Sequence, residues 1–198
     1  MGRKSIDDIR KPQILEHFRA VTNREGIHKA SVAKIAKRME VSPNLVLHYF
    51  ASKKAMVFEL LDHIMDKYLE FLREAIQDIP IGPARFKTLI KTMFGDGMNQ
   101  DLLIEKSFYA LYYLSLFDDE IKSRFNSKYF QFIDIVAQEV DSFAKFQGVD
   151  QAGSKKQAEV VLSLFEGFSF SANVRQQDDY IKENGGYFID SIYAMFKC

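Results

Sequence analysis

Apolar residues recur at intervals of three and four along most of the chain, with polar residues between them. From Ala55 the series Val57, Leu60, Leu61, Ile64, Tyr68, Leu72 and Ile76 keeps that interval. About six turns of regular repeat predict a long amphipathic helix. Ile121, Phe125, Phe132, Ile135, Val136, Val140 and Phe143 predict a second long helix, opened by Asp118, Asp119 and Glu120. Carboxylates there face the positive end of the helix dipole. Val161, Leu164, Phe165, Phe168 and Ala172 mark another helix, and Phe188, Ile189, Ile192, Tyr193 and Phe196 mark the last. The Phe/Ser alternation over Gly167–Ser171 sits inside this helical period and is read as helix. Breaks are expected at Gly26, Pro80–Pro83, Gly95/Gly97, Gly148 and Gly185/Gly186.

The first fifty residues are divided more finely. Pro12 is read as opening a helix with Ile14, Leu15, Phe18 and Val21 on one face and a stop near Gly26. Proline suits a first turn, where its missing N–H has no helical partner. Ser31 then caps a short helix with Val32, Ile35, Ala36 and Met39 on one face. Ser42-Pro43 starts another that runs to about Tyr49, and Ser52 caps the long helix after it. A serine oxygen accepting a free N–H and a proline presetting φ together make a strong helix start. The pattern predicts an all-α chain: a three-helix head, residues 1–52, followed by a helical body of about six helices, residues 53–198.

Composition changes this picture little. The chain has 198 residues, 47% of them hydrophobic, and few glycines and prolines. A true core is expected, and disordered or turn-rich all-β classes are not. One cysteine, Cys198, gives no disulfide framework and no multi-thiolate zinc site, which fits a reducing cytoplasm. The uncharged run Ser107–Phe117, 11 residues, is too short to span a bilayer, so no membrane partner is expected.

Charge changes it more. The net charge of zero divides into +6 over residues 1–60 and −6 over the rest. A basic head on an acidic body points to a polyanionic partner for the head. Two short helices joined by about three residues, behind a longer helix in a basic segment, describe a helix-turn-helix, whose second helix enters a major groove. That helix offers Asn44, Leu45, His48 and Tyr49. The amide can read base edges, Leu45 can meet a thymine methyl, and the rings can hold phosphates. An ordinary three-helix packing unit is the simpler alternative.

The stretch from Gly26 to Phe58 resembles the DNA-binding head of the TetR family of bacterial transcriptional regulators. The matching positions are Gly26, Ser31, Val32, Ile35, Ala36, Val41, Ser42, His48, Tyr49, Phe50, Ser52 and Lys53. The ending His48-Tyr49-Phe50 is similar to the branch typified by the choline-responsive repressor of betaine synthesis. Two positions depart from the family pattern: Glu40 stands where the turn usually has Gly, and Leu47 replaces a common Tyr. One frequent phosphate contact is thereby lost, leaving His48 or Tyr49 to supply it. The expected DNA contacts are Ser31, Val32, Ser42, Pro43, Asn44, Leu45, His48, Tyr49 and Lys53. Lys53, at the start of the fourth helix, and the N–H groups after Ser31 suit phosphates. Arg3 and Lys4 are either a minor-groove arm or, more simply, a solvated terminus. Ala36, Val41, Val46 and Phe50 are read as core.

The resemblance also implies a helical body that pairs with a second copy through its last two helices and holds a small ligand. A near-palindromic operator would then face a homodimer. Leu164, Phe168, Ile189, Ile192 and Phe196 are the candidate dimer contacts, with internal packing as the alternative. Phe and Tyr crowd the sixth to eighth helices. Phe108, Tyr109, Tyr112, Phe130 and Phe165 are the candidate wall of an apolar ligand site. No Ser-His-Asp set, Cys-His set or phosphate loop is readable, and His17, His28, His48 and His63 lack metal-ligand spacing. No cofactor, metal or catalysis is expected. The reading is a repressor released from its operator by a small apolar ligand. The alternative is a helical ligand-binding or protein-interaction module without specific DNA binding.

Overall fold

The computed structural model describes residues 6–95, 106–146, 153–175 and 177–196, and among these there are helices and no strands. In chain order the helices are α1 (Ile6–Glu25), α2 (Val32–Met39), α3 (Pro43–Tyr49), α4 (Lys53–Ile76), α5 (Pro83–Phe94), α6 (Lys106–Ser115), α7 (Asp119–Phe146), α8 (Ser154–Val174) and α9 (Gln177–Met195). Cys198, Gly97, Gly148, Arg3 and Lys4 lie outside the described residues.

The residues form two compact units. The first holds residues up to 67 and 106–128; the second holds the remainder of the described chain. Helices α4 and α7 contribute residues to both.

Ile14, Leu15, Phe18 and Val21 of α1 are buried with Ile35 and Ala36 of α2 and Val46 and Phe50 at α3. Met56, Val57, Leu60, Leu61 and Ile64 of α4 are buried in the same unit. The expected start of α1 at Pro12 is corrected: the helix begins at Ile6 and carries Pro12 inside it. Pro12 lies on the exposed side, where water can take the bond its missing N–H leaves open. Gly26 ends α1 with φ 84, a left-handed conformation, and its N–H donates to Thr22 O at 2.9 Å.

Helix α6 is tied to α1. The backbone N–H and hydroxyl of Ser107 both lie on Asn23 Oδ1, at 2.7 and 2.6 Å. Ser107 is fully buried. Charged contacts surround this unit. Lys11 meets Glu59 at 3.0 Å, and Lys54 meets Asp118 at 3.2 Å and Glu120 at 2.6 Å. Arg124 pairs with Asp62, and Lys128 with Asp66. Glu16 accepts from His63 Nε2 at 2.7 Å, from Arg19 at 2.9 Å, and from Lys67. These partners, His63 foremost, hold its carboxyl well below the usual carboxylate range against the opposing effect of burial.

The second unit is built on aromatic rings. Phe94 stacks on Phe188 with centroids 5.8 Å apart, and Phe168 lies 5.5 Å from Phe94 and 5.0 Å from Phe188. Phe86 packs at 5.0 Å against both Phe143 and Phe196. The glycine pair Gly185/Gly186 does not break the chain, as its sequence suggests, but lies inside α9. A Cβ at Gly185 would stand 2.4 Å from Phe94 O, so the glycine is there to let two backbones approach.

Burial separates the expected dimer contacts into two groups. Phe168, Ile192 and Phe196 are buried within their own chain. Leu164 and Ile189 remain partly exposed. The apolar face turned outward on α8 is Val160, Phe170 and Val174, with exposed Ser163 and Gly167 between them.

Candidate nucleic-acid interface

Three serines set the local geometry of the head. Ser31 Oγ accepts from Lys34 N at 3.3 Å, Ser42 Oγ from Leu45 N at 3.3 Å, and Ser52 Oγ from Ala55 N at 3.1 Å. Each takes an N–H from the first turn of its helix, and that of Leu45 is shared with Ser42 O at 3.0 Å. The chain leaves α2 through Glu40, at φ 57 and ψ 38. Its N–H donates to Lys37 O at 3.2 Å and that of Val41 to Ala36 O at 3.0 Å. These two bonds close a Schellman turn, the usual place for glycine. The left-handed conformation required there is kept by a glutamate, at a cost of about 1 kcal/mol.

Helix α3 has two faces. Val46 is fully buried, with Phe50 just beyond the helix end, while Leu45 and Tyr49 are half-buried flanks. Ser42, Pro43, Asn44 and His48 face outward. The His48 and Tyr49 rings meet edge to face at 5.2 Å, which fixes the end of that surface. Leu47 also faces outward, with 46% of its surface exposed. In the sequence Leu47 stands out only as the replacement of a common Tyr. The spacing Asn44, Leu47, His48 was the available signal, because residues three and four apart share a helix face.

The head is basic on its open side. His28 and Lys29 in the turn before α2 are exposed, as are Lys34, Lys37 and Arg38 on α2. Ser31 and Val32 are half-buried at the start of α2. Lys53 is more constrained than its sequence position suggests. Its ammonium donates to Ile27 O at 2.8 Å and to His28 O at 3.2 Å, and partial burial lowers its pKa. It therefore fixes the turn between α1 and α2. Lys11 lies over the Phe50 ring at 5.5 Å and links α1 to the end of α3.

The candidate ligand wall is divided between the units. Phe108 and Tyr112 lie 5.5 and 5.8 Å from Phe125 in the first unit, and Tyr109 lies 5.6 Å from Phe108. In the second, Phe165 meets Phe94 at 5.8 Å, and Phe130 is 53% exposed. Tyr129, beside Phe130, has its hydroxyl pushed up to about 12 by burial and by nearby Glu166. Among the described residues no group of three or more His, Cys, Asp and Glu side chains could hold a metal ion, and no helix is long and apolar enough to cross a membrane.

Comparison with known proteins gives this geometry its context. Residues 14–60 match the description "Bacterial regulatory proteins, tetR family", and residues 83–198 match "Tetracyclin repressor-like, C-terminal domain". The HTH-type transcriptional regulator BetI of Vibrio atlanticus (strain LGP32) is 28% identical over 132 residues, covering 65% of this chain and 66% of that protein. BetI of Vibrio campbellii (strain ATCC BAA-1116) is 27% identical over 124 residues, 62% of each chain. The chain thus matches somewhat less than two thirds of these curated relatives' length. Among solved structures, a transcriptional regulator from Saccharomonospora viridis in complex with choline superposes with a TM-score of 0.79 at 18% identity, over 93% of this chain and 95% of that one. FadR from Bacillus subtilis in complex with stearoyl-CoA gives 0.72 at 15% identity, over 91% and 96%. Those two share the fold. With one family description on its helix-turn-helix and the other on more than half its length, the chain belongs to the TetR family of bacterial regulatory proteins.

Proposed function

We propose that this chain is a sequence-specific DNA-binding transcriptional repressor that works as a homodimer and is released from its operator by a small apolar ligand. The observation that carries the reading is the outward face of α3. Its polar side chains are exposed, as are the basic side chains of the neighbouring α2, while Val46 and Phe50 on the opposite face are buried in the core. In the major groove Asn44 reads base edges, with Ser42, Pro43, Leu45, His48 and Tyr49 around it. Ser31, Val32 and the cations of α2 lie along the phosphates. Lys53 acts chiefly by holding the turn from which α2 starts, and its charge adds to the phosphate field.

A single head reads few base pairs, so pairing is expected physically. The seam is the outward stripe of α8, where Val160, Ser163, Gly167, Phe170 and Val174 repeat at three and four. Leu164 and Ile189 flank it. The ligand reading rests on Phe108, Tyr109 and Tyr112 around Phe125, with Phe130 and Phe165 as further candidates. Stearoyl-CoA, whose acyl chain is apolar and with which one structural neighbour is in complex, is the first probe to try, and choline, the cation in complex with the other, is the contrasting probe. Binding then acts by preferring one of two dimer shapes, and a tenfold loss of operator affinity needs about 1.4 kcal/mol of such preference.

The test is selection from random duplexes followed by titration. The expected product is a near-palindromic site bound by two copies. A bound ligand should lose affinity in the presence of that site by the factor the site loses to the ligand. Sedimentation should give twice 22.9 kDa, and Phe170→Lys should give the monomer mass. A monomer with no preferred duplex would leave the reading without support.

A further inference from the structure

The inference concerns Leu47 and rests on the DNA-binding reading above. We propose that Leu47 is a specificity-determining residue that packs its side chain against the 5-methyl group of a thymine in the major groove.

The geometry starts from a helix of two turns. Its inward face is Val46, continued by Phe50, both fully buried, so the core contact of this segment is made without Leu47. Leu47 lies three residues after Asn44 and one before His48, in the middle of the exposed polar face. Among the described residues of α1, α2 and α3, the large apolar side chains left exposed are Ile9 and Leu47. Ile9 is on α1, at the other end of the head's sequence. On α3 an aliphatic group therefore stands where every neighbour on the same face can form hydrogen bonds or, as Pro43, closes the helix start.

Chemistry names the occupant. A leucine side chain neither donates nor accepts a hydrogen bond and gains nothing from a phosphate. On the major-groove edges of the four base pairs, the apolar feature is the C5-methyl of thymine. Asn44, one turn earlier on the same face, matches the adenine edge through its amide. The pair would read adjacent positions, Asn44 an adenine and Leu47 a thymine. Leu45, to which the sequence assigns the methyl contact, is half-buried and makes the capping bond with Ser42 through its N–H. The more exposed leucine takes that role.

The experiment removes the methyl from the DNA and the side chain from the protein separately. The full chain selects its preferred duplex from a random pool. Each thymine of that duplex is then replaced in turn by uracil, which lacks only the methyl. Affinities are measured for the wild type, Leu47→Ala and Leu47→Ser. One position per half-site should weaken wild-type binding about fourfold, the value of one buried carbon group, and about fifteenfold when both half-sites are changed. At that position both variants should be indifferent to the change. If one variant folds poorly, the other carries the comparison with the wild type. If a duplex is selected but no uracil position separates the wild type from the variants, the inference about Leu47 is wrong and the DNA-binding reading survives. If no duplex is selected at all, both fail.

Discussion

Each unit has its own apolar core, and they differ in what surrounds or fills that core. The first is bounded by charge: Lys11–Glu59, Glu16 with Arg19, Lys67 and the His63 ring, Lys54 on Asp118 and Glu120, Asp62–Arg124 and Asp66–Lys128. The second rests on rings packed at 5.0 to 5.8 Å around Phe94 and Phe86, with the Arg85–Glu139 pair at 2.8 Å beside them. Exposed ion pairs contribute little individually and weaken with salt, whereas buried aromatic packing is nearly indifferent to it. The unit that faces a polyanion is thus also the unit most sensitive to ionic strength. Salt will loosen DNA contacts and the head's own charged supports together. A salt slope measured on this protein therefore needs a thermal melt beside it before phosphate contacts are counted.

The largest way to break the comparison is in the ring cluster. Phe94→Ala removes the centre of the second unit and should lower stability by about 3–5 kcal/mol, in low and high salt alike. Thermal unfolding at two ionic strengths checks it. A loss that depended strongly on salt would mean that charge supports this unit too.

A smaller effect is expected from the polar tie between α1 and α6. Asn23→Ala removes the acceptor of the buried Ser107 N–H and should cost about 1–3 kcal/mol. Hydrogen exchange should show faster opening at the start of α6, with the ring cluster unchanged. Unaltered protection of α6 would contradict the tie.

The smallest effect is a pH dependence. Glu16 has its pKa held below the ordinary value of 4.5 by His63, Lys67 and Arg19. A depressed carboxylate stabilises the fold above its unfolded pKa, and that contribution is lost as pH falls through the folded value. Wild type should therefore melt above Glu16→Gln near neutrality, and the gap should close as the solution is taken below the ordinary glutamate range. A gap that widened with acid would reverse the assignment.

Much of the head was legible in sequence because its signals are local. Ser31, Ser42 and Ser52 each cap the helix expected of them, and a capping serine acts within three residues. Glu40 stood out only against the glycine usual at that turn in the family the head resembles, and it does adopt the left-handed conformation. Signals that depend on a distant partner failed. Gly185 reads as a break, yet its function is the approach of Phe94 O from another helix. Helix α8 is apolar on more than one side, so its period cannot say that Phe168 turns inward and Phe170 outward. Pro12 was misplaced because a proline on an exposed side of a helix is tolerated without marking its start. In the candidate site the residue types were legible, while the exposure of Leu47 and the carbonyl contacts of Lys53 needed three dimensions.

The outward face of α3 is the proposed reader of DNA sequence. Its most direct test is a selection from random duplexes run in parallel on the wild type and on Asn44→Ala, with affinity measured across a range of salt. The wild type should enrich a near-palindromic site. Asn44→Ala should lose discrimination at one base pair in each half-site, by about 1–3 kcal/mol, with the salt slope unchanged. A wild type that enriches nothing, or an Asn44→Ala variant that keeps every preference and loses only salt-dependent affinity, would contradict it.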